Sequence, residues 1–115
     1  IVSNCRKDEI PKILRNAKIN QKLFDIKIGN DNVSHPKPSP DEILKAEKLL
    51  HLKADYMVGD SIYDMIAGNR AKVKTIAVLT GNTTESKLKK YKPYRIIKSV
   101  ADLPKLIKKL NSTLK

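Results

Sequence analysis

The chain has no tryptophan, one phenylalanine and four tyrosines, so aromatic residues make up only 4% of it. Its core must therefore be packed from Ile, Leu and Val, the aliphatic mixture of sheets covered on both faces by helices. The single cysteine, Cys5, excludes an internal disulfide and fits a reducing compartment. Four glycines and six prolines are too few for a collagen-like or low-complexity chain. No apolar run approaches the length of a membrane span, and no charged-then-apolar leader is present, so the sequence reads as a soluble, cytoplasmic protein. There is no internal repeat or linker, and 115 residues allow one domain with a modest core.

Charge, by contrast, is abundant and one-sided. Twenty-four Lys and Arg face twelve Asp and Glu, for a net charge of +12. Such a balance raises a nucleic-acid surface as a reading. Against it, only four of the cations are arginines, the lysines are spread over every predicted helix, and no aromatic-rich strand or recognition-helix motif accompanies them. A basic field also attracts small phosphorylated metabolites, and that is the partner the sequence favours.

The periodicity alternates strands and helices. A helix from Cys5 or Asp8 to Asn16 carries Ile10, Ile13, Leu14 and Ala17 at helical spacing, with Pro11 in its first turn. Phe24 to Ile28 alternates as a short strand, and the turn formers Gly29 to Asn32 end it. Ser39, Pro40 and Glu42 predict a capping box for a helix reaching about His51, with Ile43, Ala46, Leu49 and Leu50 inward. Asp55–Val58 and Val73–Leu79 read as strands flanking a helix over 61–71. A short basic helix capped by Thr83 or Thr84, a strand over 94–97 and a final helix opened by Ser99 complete the chain, with 111–115 expected to fray. The pattern predicts a parallel, Rossmann-like α/β sheet with helices on both faces.

The stretch Tyr56-Met57-Val58-Gly59-Asp60-Ser61-Ile62-Tyr63-Asp64 organises the rest. An apolar strand that ends in Gly-Asp and passes straight into a helix belongs at the ligand-binding rim of an open α/β sheet. With a helix starting near Ser61, Asp60 and Asp64 lie one turn apart on one face. Two carboxylates at a strand end suit a hard cation, magnesium first. Taken alone, the same residues serve equally well as a helix cap and a first-turn acid. Lys37, held between Pro36 and Pro38, has a restricted backbone that would present its ammonium at a defined place; read in isolation it is one surface lysine among many.

Gly59-Asp60-Ser61-x-x-Asp64 after an apolar strand, Ala67-Gly68 beyond it and Lys37-Pro38 before it together resemble the haloacid dehalogenase superfamily of phosphohydrolases, in particular its phosphoglycolate phosphatase-like members. The resemblance spans Ile1 to about Leu110. It implies that Ser3, with Asn4 beside it, and Lys37 bind phosphate, that Asp60 and Asp64 hold Mg2+, and that Lys37, Asp60 and Asp64 form the catalytic set present here. Ser3 by itself is no more than a potential helix cap. One departure is Lys72, where the family commonly has Gly; a left-handed backbone there costs on the order of 1 kcal/mol.

The superfamily's nucleophile lies in an Asp-x-Asp segment, and the sequence contains no such motif. The expectation is that these residues are the C-terminal part of a core whose central first strand, nucleophile and cap lie before Ile1. The resulting gap in the sheet would be filled by that N-terminal segment or by a second copy. For the intact protein the resemblance implies magnesium-dependent hydrolysis of a small phosphate monoester through an aspartyl-phosphate. The alternatives are a non-catalytic phosphate-binding fragment, and a phosphomutase or dehalogenase of the same superfamily.

Overall fold

A computed structural model describes residues 1–113, and its centre is a three-stranded parallel sheet in the order β1-β2-β3. Strand β1 is Tyr56–Gly59, β2 is Lys74–Val78 and β3 is Arg95–Ile97. Val58 pairs with Ile76, and Ala77 with Ile96, so consecutive strands are neighbours joined by helical crossovers. Helix α1 covers Ile10–Asn16, α2 Asp41–Leu50, α3 Ile62–Arg70, α4 Glu85–Lys89 and α5 Leu103–Thr113.

Strand β2 is central, and from Thr75 to Val78 every residue is buried. One aliphatic cluster joins Ile43, Met57, Ala67, Ala71 and Val73, where α2 and α3 meet the sheet. Another joins Met65, Ala77 and Leu88 beneath α4. Ile28, Met65, Ile76 and Leu88 are fully enclosed, and each contributes about 1.5–3 kcal/mol relative to exposure. Gly68 lets α3 lie close on the sheet, because a side chain there would collide with Thr75.

Most elements stand where their periodicity places them, with informative exceptions. The strand expected over 24–28 is reduced to one parallel bridge between Val2 and Ile28. Its partner is the stretch Ile1 to Ser3, through Ile28 N–H to Ile1 O at 2.8 Å and Ser3 N–H to Ile28 O at 2.9 Å. The Ser39–Glu42 capping box does not form. Helix α2 begins at Asp41, Ser39 Oγ accepts the Asp41 N–H at 3.3 Å, and Glu42 turns inward to Lys37. Ile13 and Leu49, expected to face inward, are half exposed, and Ala17 is exposed as well, because nothing among the described residues covers those faces. Helix α5 extends through Thr113, into the tail expected to fray; Leu114 and Lys115 lie outside the described residues.

One side of the sheet is unfinished. The Val2–Ile28 bridge and β1 do not pair with each other, and an apolar cleft of about 480 Å³ lies between them, lined by Ile1, Val2, Phe24, Met57, Val58, Val100 and Leu103. Among the described residues, that edge of β1 has no partner strand. Long unpaired apolar edges are rare in finished sheets.

Candidate active site at the carboxyl ends of β1 and β2

Strand β1 delivers the chain to Asp60, and Ser61, extended at φ −123°, caps α3. The Ser61 hydroxyl accepts the Asp64 N–H at 3.3 Å and donates back to Asp64 Oδ2 at 3.1 Å. That same oxygen accepts the Asp60 and Ser61 backbone N–H groups at 3.0 and 3.1 Å. Asp64 is therefore buried and fixed by a capping box. Its other oxygen, Oδ1, takes the Lys37 ammonium at 2.6 Å.

Lys37 is held along its whole length. Its N–H is shared between Asn4 Oδ1 and Glu42 Oε2, both at 3.1 Å, and its carbonyl accepts Asn4 Nδ2 at 3.1 Å. The ammonium donates to Val2 O at 3.2 Å as well as to Asp64. The side chains of the ion pair are 11% and 8% exposed, so salt screens it far less than a surface pair. In spanning from Val2 to Asp64, Lys37 links a residue that lines the apolar cleft to the carboxylate that fixes its ammonium.

Asp60 is the contrasting acid. Its carboxylate is exposed and makes no hydrogen bond among the described residues. Two glycines leave room for the pair: a side chain at Gly81 would collide with the Asp60 carboxylate, and one at Gly59 with that of Asp64. Lys37, Asp60 and Asp64 share one crevice of about 240 Å³ with Val58, Gly59, Val78, Thr80 and Val100. A polar hollow of about 270 Å³ at the opposite ends of the strands, lined by Asp55, Tyr56, Lys72 and Lys74 among others, lacks such a pair of acids. Open α/β sheets bind their ligands at the carboxyl ends, where the crevice lies.

The other residues singled out in the sequence lie outside this crevice. Ser3 turns its hydroxyl to the Cys5 N–H at 3.1 Å, and Asn4 grips the Lys37 backbone. In the loop that carries Lys37, His35, not among those residues, forms an exposed contact with Asp41 at 3.2 Å. Glu42 is the participant that sequence reasoning missed. It is fully buried beside Lys37, and its Oε1 has no hydrogen-bond partner. Burial raises its pKa above the usual carboxylate range, an effect opposed by the Lys37 N–H and ammonium and reinforced by the charge of Asp64. Its position three residues after Ser39 signalled only a cap.

The donor set fits magnesium in part. Among the described residues no three His, Cys, Asp or Glu side chains converge as a metal cage. Magnesium needs no such cage, taking one or two carboxylates and completing its shell with water and substrate phosphate. Asp60 is free to be such a ligand, whereas both oxygens of Asp64 are engaged, which suits it to orienting its neighbours.

A family model described as haloacid dehalogenase-like hydrolase matches residues 1–78. Pyrophosphatase PpaX of Bacillus mycoides is 32% identical over 96% of the chain and 52% of its own length. The D-glycero-beta-D-manno-heptose-1,7-bisphosphate 7-phosphatase of Pasteurella multocida is 46% identical over 66% of the chain and 42% of its own length. Among solved structures, a haloacid dehalogenase-like hydrolase from Bacteroides fragilis superposes with a TM-score of 0.83 at 32% identity, covering 90% of this chain and 50% of that one. With its crossover topology and acid-lined strand ends, the chain belongs to the haloacid dehalogenase-like hydrolase family. It spans about half the length of the curated relatives it matches.

Proposed function

We propose that the chain is the C-terminal part of a phosphatase core and supplies the electrostatic half of a site that hydrolyses a small phosphate monoester. The observation that carries this reading is the gathering of Lys37, Asp60 and Asp64 in one crevice at the carboxyl ends of β1 and β2. The adjoining cleft between Val2 and β1 accounts for the other half. It is apolar, lies between two segments that run parallel to their own partners, and shares Val58 and Val100 with the acid-lined crevice, so a strand entering it would end beside the two acids. An aspartate carried there would be the nucleophile, forming an aspartyl-phosphate, and a second one the acid and base.

The residues present divide the remaining work. Lys37 holds a fixed positive charge against the phosphate oxygens, where a preorganised cation in a partly dehydrated site acts most strongly. Asp64 keeps that ammonium and the Asp60 backbone in place. Asp60, with water, would hold Mg2+, whose chemistry is to offset charge between phosphate and nucleophile. The names of the relatives, a pyrophosphatase and a sugar bisphosphate phosphatase, support small phosphorylated substrates as the class.

The test is hydrolysis of p-nitrophenyl phosphate with magnesium and with chelator, by the 115-residue chain alone and by a longer product that includes the preceding segment. The expected result is no turnover by the chain alone and magnesium-dependent turnover by the longer product, abolished by Asp60→Asn and by Lys37→Ala. Full activity in either variant would remove the role given to that residue. Turnover by the 115 residues unaided would refute the division of labour.

A further inference from the structure

We propose that Glu42 is a positioning residue for Lys37, seating the lysine backbone so that the ammonium bridges Val2 O and Asp64. This rests on the reading of Lys37 as the phosphate-facing cation. Glu42 lies in the first turn of α2, fully buried, with Oε2 accepting the Lys37 N–H at 3.1 Å. Its other oxygen is enclosed and has no hydrogen-bond partner.

That arrangement is poor for stability. A buried carboxylate with half its acceptor capacity unused is destabilising compared with an apolar side chain of the same size. Its benefit must be sought elsewhere, and the hydrogen bond it does make is to the backbone N–H of the site lysine, with the Ser3 N–H a weaker influence on the same carboxylate. Asn4 holds the same peptide from the exposed side, accepting the N–H and donating to the carbonyl. Glu42 is the inner clamp and Asn4 the outer one. Asp64 then receives the ammonium in a geometry that neither α2 nor α3 sets alone.

The experiment uses the ammonium resonances of 15N-labelled protein, in which the enclosed Lys37 signal is identified by its loss in Lys37→Met. Glu42→Met, an apolar near-isostere, is expected to keep or raise Tm while the protected Lys37 signal broadens into the exchanging bulk of lysines. Glu42→Gln, whose carbonyl still accepts the Lys37 N–H, is expected to restore it. Orthophosphate affinity should fall about tenfold in Glu42→Met, and the double variant with Lys37→Met should bind no more weakly than Lys37→Met alone. An unchanged Lys37 signal in Glu42→Met overturns the proposal, as does its unfolding, which would make Glu42 a purely structural residue. If the signal responds as expected but Lys37→Met binds orthophosphate like the wild type, the positioning stands and the phosphate role of Lys37 fails.

Discussion

Replacing Lys37 by methionine removes an ammonium from a pair that is about nine-tenths buried and leaves Asp64 charged in the same place. Deleting one partner of a buried pair typically costs about 3–5 kcal/mol, because the survivor remains desolvated and unpaired. Asp64 retains three donors on Oδ2, from the Asp60 and Ser61 amides and the Ser61 hydroxyl, so the lower end of that range applies. With an unfolding entropy of about 2.1 cal/mol/K per residue, a loss of about 3 kcal/mol over 115 residues lowers Tm by about 12 °C. The loss should persist in 1 M salt, unlike that of a surface pair. Adding Asp64→Asn removes the stranded charge, so the double variant should be less destabilised than the sum of the two single ones. Thermal and urea unfolding of the four proteins measure the coupling. A Lys37→Met protein that melts with the wild type, or strictly additive losses, would mean that the two side chains do not form the enclosed pair from which the site has been built.

Asp60 should behave oppositely. Its carboxylate is exposed and makes no hydrogen bond among the described residues, so Asp60→Asn should change stability by no more than about 0.5 kcal/mol while removing magnesium-dependent turnover of the longer protein; equal metal dependence in the variant would exclude Asp60 as a ligand. Lys72 follows α3 with φ 60°, and Lys72→Gly should stabilise by up to about 1 kcal/mol, read as a rise in urea midpoint at constant slope. The raised pKa of Glu42 means that the folded state holds its proton more firmly than the unfolded chain. Its contribution is therefore fully present below the ordinary glutamate value and lost as pH rises through the folded one. Glu42→Gln should flatten this decline across the weakly acidic range, and an unchanged pH–stability curve would contradict the burial-driven shift.

Much of the site was legible in the sequence because its parts are local. Gly59-Asp60-Ser61-x-x-Asp64 spaces two acids by one helical turn, and the structure adds the capping box between Ser61 and Asp64. The aliphatic strands announce themselves by burial on both faces, as β2 does from Thr75 to Val78. Even Lys72 was identifiable as a residue where a glycine would sit more easily. Glu42 was not legible in its true role. Ser39-x-x-Glu42 satisfies the pattern of a cap, and only the inward turn of α2 toward the 33–40 loop sends the carboxylate to Lys37 instead. Asn4, likewise, sits next to a serine that looks like a phosphate ligand, yet its amide is committed to a peptide 33 residues away.

The amino-acid order by itself determined the alternation of strand and helix and the one-turn spacing of Asp60 and Asp64, since both follow from the pitch of the backbone. It also exposed the lack of an Asp-x-Asp. Only the tertiary structure decided which acid is free and which is spent, because that depends on where Lys37 arrives from another part of the chain. It likewise turned the expected strand over 24–28 into a single bridge and left an open cleft beside β1, since strand pairing depends on where distant segments meet.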